Sequence, residues 1–128
     1  MSSRRVLIID DWEDGAQTLA ALLQSAGYET RIATAGAKGL EIAASDSPDA
    51  VILDLDLPDM SGYEVCRRLR ARPGGGRLLI IALTGWTRHS DRVAASEAGC
   101  DHYVVKPASL DTLDTLLKRA ERRRGGKK

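Results

Sequence analysis

Apolar side chains gather in short dense runs separated by longer stretches of mixed character. The runs 6–9, 50–53, 78–83 and 103–105 have strand length and are mostly uninterrupted, the pattern of strands covered on both faces. A weaker run, 30–33, alternates apolar and polar positions, which suits a strand at a sheet edge. Between the runs the spacing becomes helical. Ala16, Leu19, Ala20 and Leu23 recur at i, i+3, i+4 and i+7, and Leu110, Leu113, Leu116, Leu117 and Ala120 repeat the pattern.

Gly27, Gly62 and Gly99 stand where these helices would stop or start, and Pro48 and Pro73-Gly74-Gly75-Gly76 punctuate the approach to the next strand. The order is strand then helix, five times over. Such alternation requires a parallel sheet with helices on both faces. The expected fold is therefore α/β, a doubly wound five-stranded parallel sheet in the flavodoxin-like order 2-1-3-4-5. One domain is expected over residues 1–121, followed by a basic, frayed tail at 122–128.

Composition narrows the function more by exclusion than by indication. A chain of 128 residues is long enough for one hydrophobic core without disulfides or a structural metal. With 19 basic and 18 acidic side chains the net charge is +1, so no bulk pull toward nucleic acid or membrane is implied. Cys66 and Cys100 lack the paired spacing of a zinc site or a disulfide framework, and read as packing residues in a reducing cytoplasm. After Met1-Ser2-Ser3-Arg4-Arg5 only four apolar residues come before Asp10, too few for a signal core or a membrane span, which points to a soluble, cytoplasmic protein.

The chemistry collects at the strand ends. Asp10-Asp11 comes directly after the first strand, Asp54 after the third, Thr84 after the fourth and Lys106-Pro107 after the fifth. In a parallel sheet these C-terminal ends lie along one edge, where ligands bind in open α/β folds. Three carboxylates, a hydroxyl and an ammonium would then share a pocket. Clustered carboxylates repel, and a hard divalent cation with oxygen-only ligands, Mg²⁺, is the natural occupant. A carboxylate beside it can attack a phosphoryl group, with the cation, Lys106 and the Thr84 hydroxyl neutralising the transferred oxygens.

Taken singly these residues have ordinary readings. Asp10 and Asp11 could cap the next helix, Thr84-Gly85 could be a turn, and Lys106 could lie in solvent at a strand exit. Their joint placement is what favours a shared site.

Four stretches in order, 6–11, 54–64, 82–85 and 103–107, closely resemble the response-regulator receiver family of two-component signalling, and the resemblance covers residues 5–120. It implies that Asp54 accepts a phosphoryl group from a phosphohistidine on a sensor histidine kinase or a histidine phosphotransfer protein. It also implies that Asp11, Asp54 and the backbone carbonyl of Asp56 hold Mg²⁺, with Asp10 helping through water. Thr84 would bond the phosphoryl oxygens and Lys106 would pair with them. Tyr103 would move inward with the threonine, switching the surface made by the fourth helix, fifth strand and fifth helix. The module would be a phosphorylation-switched phosphoprotein rather than an enzyme, acting only on itself through phosphoryl transfer and slow autodephosphorylation.

Departures from the family pattern concern tuning. Asp56 adds a negative charge two residues after Asp54, and Trp86 sets a bulky side chain two residues after Thr84, where it would exclude water from the acyl phosphate. Trp12 makes the first loop unusually apolar. His89 and His102 have no partner at metal or nucleophile spacing. Residues 51–56 also resemble the nucleophile strand of haloacid-dehalogenase-type phosphatases, but Leu57-Pro58 comes next and the acidic pair precedes, which disfavours an enzyme of that kind. Whether the receiver stands alone or is a module of a longer kinase is open.

Overall fold

The computed structural model describes residues 4–85 and 89–125, without the side chains of 89–90 and 120–125. Its elements run β1 Arg5–Ile9, α1 Glu13–Ser25, β2 Glu29–Ala33, α2 Gly36–Asp46, β3 Ala50–Asp54, α3 Gly62–Ala71, a 3-10 turn at Gly75–Arg77, β4 Leu79–Thr84, α4 His89–Ala98, β5 His102–Val105 and α5 Leu110–Gly125. The five strands pair in parallel in the order β2-β1-β3-β4-β5. This is the doubly wound arrangement that the strand and helix alternation requires.

Strand periodicity sends alternate residues to opposite faces of the sheet, and both faces here are covered. Val6, Ile8, Ala50, Ile52, Leu79, Ile81 and Leu83 pack with Ala16, Ala20 and Leu23 of α1 and Leu113 and Leu117 of α5. Leu7, Ile9, Val51, Leu53 and Ile80 pack on the other face with Ile42 and Ala43 of α2, Val65, Cys66 and Leu69 of α3, and Ala98 of α4. Each fully buried Leu or Ile in these layers contributes roughly 1.5–3 kcal/mol of transfer free energy, which is why the central strands are apolar through their buried stretches at 6–9, 50–53 and 79–83.

The two edges differ from the centre as burial demands. β2 alternates between exposed and covered positions, as its sequence pattern anticipates. β5 lies at the opposite edge, as the order 2-1-3-4-5 anticipates, and is half-buried along its length rather than covered on both faces as its apolar run suggests. An apolar tripeptide does not by itself distinguish an edge from a centre. The helix α5 continues to Gly125, so the expected start of a tail at residue 122 falls within it, and residues 126–128 lie outside the described part of the chain.

Two local devices place the functional edge. Gly62 begins α3 against the end of β3, where a Cβ would lie 2.6 Å from the Leu55 Cα and 2.8 Å from the Asp54 carbonyl oxygen. Only glycine allows that approach. The Ser61 hydroxyl then caps the helix by accepting from the Tyr63 amide at 3.1 Å.

At the far end of α3, Arg70 ties three segments together. Its Nε donates to the Gly99 carbonyl at 2.8 Å, Nη1 to the carbonyls of Gly75 (2.7 Å) and Leu78, and Nη2 to Asp101 Oδ2 at 2.6 Å. One half-buried guanidinium thus satisfies carbonyls at the turn before β4 and in the loop before β5.

Candidate functional site

The strand register explains how distant residues meet. Ile9 of β1 is level with Leu53 of β3, so Asp10 and Asp54 emerge side by side. Asp54 is level with Leu83 of β4, and Thr84 with Val105 of β5, so Thr84 and Lys106 complete the row. Asp10, Asp54 and Thr84 are the buried polar residues of the described chain, at 7 %, 3 % and 2 % exposure. Every other buried side chain there is apolar or glycine, so these three are placed by position at the strand ends.

The two buried carboxylates are held alike. Asp10 Oδ1 accepts from the Trp12 amide at 3.0 Å, and Asp54 Oδ1 accepts from the Asp56 amide at 3.1 Å. Each local turn fixes one oxygen and leaves Oδ2 to face the lysine. Lys106 Nζ lies 3.4 Å from Asp10 Oδ2 and 3.4 Å from Asp54 Oδ2. Asp11 is exposed, yet it too reaches the cluster: one oxygen from each of Asp10, Asp11 and Asp54 lies within 4.8 Å of the other two.

Electrostatics reflect this crowding. Burial is the main force that lifts the Asp54 carboxyl to about 6; the Asp56 amide and the Lys106 charge oppose it, and the neighbouring Asp10 adds to it. Burial alone would lower the Lys106 ammonium, but Asp54 and Asp10 outweigh it and hold the group above its ordinary value. One ammonium therefore does not neutralise the carboxylates. An all-oxygen donor set with surplus negative charge suits a hard divalent cation such as Mg²⁺, and Asp10, Asp11 and Asp54 are the side chains that would hold it.

Residues beyond the strand ends complete the surroundings. Asp56 has an exposed side chain, and its backbone is anchored to Asp54 as above. Trp12 is 65 % exposed, with its ring against Gly15. Tyr103 is half-buried on β5, with the Arg92 guanidinium 4.7 Å from its ring centroid. His102 is partly buried and has a polar or ring contact of its own. Trp86 and the side chain of His89 lie outside the described residues.

Three relationships are not visible in linear sequence. Asp59 accepts from the amides of Gly36 (2.8 Å) and Ala37 (3.0 Å), pinning the loop after β3 to the start of α2, and these bonds hold its carboxyl below the usual range. Arg92 sits on Tyr103 only because α4 packs beside β5. Cys66 and Cys100, far apart in the chain, have their sulfurs 3.4 Å apart, so packing makes them a pair although neither is in a disulfide. Apart from these, a cleft of about 400 Å³ lined by Asp49, Arg72, Arg77 and Gly74 opens at the N-terminal edge of the strands, remote from the carboxylates.

The comparisons with known proteins agree with this geometry. The model of the response regulator receiver domain matches residues 6–118. The chain is 40 % identical over 119 residues to the response regulator MprA of Mycolicibacterium vanbaalenii, covering 93 % of this chain and 51 % of that protein. It is likewise 40 % identical over 121 residues to MprA of Mycobacterium ulcerans, covering 94 % and 51 %. The chain thus spans about half the length of the curated relatives it matches.

Among solved structures, the Vibrio cholerae chemotaxis protein CheY4 superposes with a TM-score of 0.88 at 29 % identity, covering 93 % of this chain and 99 % of that one. A putative response regulator from Chloroflexus aurantiacus gives 0.87 at 35 % identity, covering 93 % and 98 %. No helix among the described residues is long and apolar enough to cross a membrane. With the strand order, the row of acidic residues and the lysine at the fifth strand's end in agreement with a match over most of its length, this chain belongs to the response regulator receiver domain family.

Proposed function

We propose that Asp54 is the phosphoacceptor of this receiver domain, taking a phosphoryl group from a phosphohistidine on a sensor histidine kinase or histidine phosphotransfer protein in the cytoplasm. The observation that carries this reading is the shared geometry of Lys106, at 3.4 Å from both Asp54 and Asp10 within an acidic cluster. It supplies a buried nucleophilic oxygen and a cation beside it.

Asp54 Oδ2 attacks phosphorus as the bond to the donor nitrogen breaks, and the imidazole leaves with the bonding pair. The Asp56 amide stays on Oδ1, keeping the carboxylate plane fixed while Oδ2 reacts. Lys106 shifts its pairing from the carboxylates to the phosphoryl oxygens, and the Thr84 hydroxyl donates to another of them. Bound Mg²⁺ would neutralise charge on the carboxylates and the phosphoryl oxygens, held by Asp11, Asp54 and the Asp56 carbonyl with Asp10 through water. Tyr103, on the strand next to Thr84, would follow the threonine and alter the surface formed by α4, β5 and α5.

Mixing the chain with a small acyl phosphate and Mg²⁺ tests the reading by intact mass. One added phosphoryl group is expected, abolished by Asp54→Ala or by chelation. Labelling that persists in Asp54→Ala overturns the assignment. Catalytic release of phosphate from simple monoesters would favour a phosphatase instead.

A further inference from the structure

Cys66 and Cys100 are 34 residues apart in sequence, and their sulfurs are 3.4 Å apart. We propose that they form an oxidisable dithiol, which a hydroperoxide converts into an intramolecular disulfide fastening α3 to the entry of β5. This inference stands on the pair alone and does not depend on the assignment of Asp54.

The contact is built into the fold on both sides. Cys66 lies on α3, fully buried, one helical turn before Arg70. Arg70 bonds Gly99 and Asp101, the two chain neighbours of Cys100. The backbone around Cys100 is fixed further: its amide donates to Ala95 O at 3.0 Å, and Asp101 bonds Ile80 through both its amide (2.8 Å) and its carboxylate (2.8 Å). The sulfurs therefore face each other because two anchored segments hold them there. Closing the gap to a bond of about 2.05 Å asks for side-chain rotation and a small shift of one segment.

Access sets the order of the reaction. Cys66 is closed to solvent and Cys100 is partly exposed, so a small oxidant meets Cys100 first. The Cys100 thiol donates to the Cys66 sulfur, which lowers the Cys66 pKa and raises that of Cys100, while the Arg70 charge favours a thiolate at either. The thiolate therefore forms first at the buried Cys66, and the Cys100 proton must cross the contact to Cys66 before the accessible sulfur can attack an oxidant.

The steps balance. The Cys100 thiolate attacks one oxygen of the hydroperoxide; an S–O bond forms, the O–O bond breaks, and the released oxygen leaves as water or alcohol. The Cys66 thiolate, having lost its proton, attacks the Cys100 sulfur; the S–S bond forms, the S–O bond breaks, and water leaves. The two sulfurs together lose two electrons and the peroxide gains them.

The test exposes the full chain to hydrogen peroxide, with intact mass, non-reducing peptide mapping and alkylation after unfolding as readouts. Wild type is expected to form no covalent link between chains, to lose two hydrogens, to yield a single peptide pair joined through Cys66 and Cys100, and to recover both thiols with a dithiol reductant. Its thermal midpoint should rise on oxidation, since the bond closes a loop of some thirty residues. Cys66→Ala, without a resolving thiol, should instead gain oxygen at Cys100 or cross-link between chains. Wild type that accumulates sulfinic acid at Cys100 while Cys66 remains alkylatable, or that joins only between chains, overturns the proposal, and that result is read on wild type alone.

Discussion

The Lys106 ammonium stands at one distance, 3.4 Å, from Asp54 Oδ2 and from Asp10 Oδ2, so a single cation serves both buried carboxylates. A divalent ion held by these carboxylates, as proposed, would compete with it for the same oxygens. Removing it should have opposite effects on two measurable steps.

In Lys106→Met, Mg²⁺ should bind more tightly. A unit charge a few ångströms away in a partly solvated site is worth about 1 kcal/mol, roughly a fivefold change in affinity. Phosphorylation of Asp54 should slow by roughly tenfold to a hundredfold, because a charge aimed at the transferred oxygens is lost. Titration by calorimetry and labelling by intact mass report the two effects separately. Weaker Mg²⁺ binding in this variant would show that Lys106 organises the site rather than competing for it.

Asp54 has its folded pKa raised to about 6, mainly by burial. The unfolded carboxyl titrates near 3.9, so the folded state takes up a proton that the unfolded state does not between about 4 and 6. Ionised Asp54 thus costs stability in full above about pH 6, and the cost vanishes below about pH 4. Asp54→Asn, without Mg²⁺, should therefore be more stable than wild type at pH 7.5, by on the order of 1–3 kcal/mol. That advantage should fade as the pH is lowered toward 4. Saturating Mg²⁺ at pH 7.5 should stabilise wild type more than the variant. Urea unfolding across this range measures all three, and a pH-independent difference would mean that the carboxylate charge is not its cause.

How much of this was legible without coordinates depends on whether the signal was local. The strand ends Asp10, Asp54, Thr84 and Lys106 could be read because each terminates an apolar run, and the topology alone brings such ends to one edge. Burial of Asp10 and Asp54 adds the detail that each uses Oδ1 for its own turn and Oδ2 for the lysine, which no pattern of residue types encodes. Gly62 could be marked as a helix start, but the reason for glycine is a neighbouring backbone at Leu55 rather than a turn. Asp59, Arg92 and the Cys66 and Cys100 contact escaped because each partner comes from another helix or strand, and spacing along one element says nothing of its neighbours. The edge position of β5 follows from the expected strand order, but its half-burial escaped, because three apolar residues in a row look alike whether one or two neighbours cover them.

Arg92 and Tyr103 give a prediction about switching. The guanidinium lies 4.7 Å from the ring centroid, an arrangement worth about 0.5–1 kcal/mol at a partly exposed site. If Tyr103 moves inward on phosphorylation, this contact favours the resting position. Arg92→Ala should then shift the resting equilibrium toward the inward ring by roughly two- to fivefold. Fluorotyrosine incorporation with ¹⁹F NMR, resolved by a Tyr103→Phe control, reports the populations with and without a phosphoryl mimic. Identical Tyr103 spectra in wild type and Arg92→Ala would remove the latch from the mechanism.

Trp12 offers a direct reporter of the acidic cluster. Its amide donates to Asp10 Oδ1 at 3.0 Å and the residue is 65 % exposed, so both the backbone it rides on and its environment should respond to charge arriving at Asp10. In a Trp86→Phe background, which leaves Trp12 as the sole indole, Mg²⁺ should change the emission in a saturable way. Asp11→Asn should weaken the apparent affinity, since it removes the negative charge of one of the three carboxylates that reach the common site while leaving the Trp12 bond to Asp10 in place. Monovalent salt at matched ionic strength should have little effect, because screening acts on every exposed charge whereas a coordination site selects a small divalent ion. An Asp11→Asn curve that superposes on the parent would place the ion elsewhere, and a response reproduced by the monovalent salt would reduce the signal to screening.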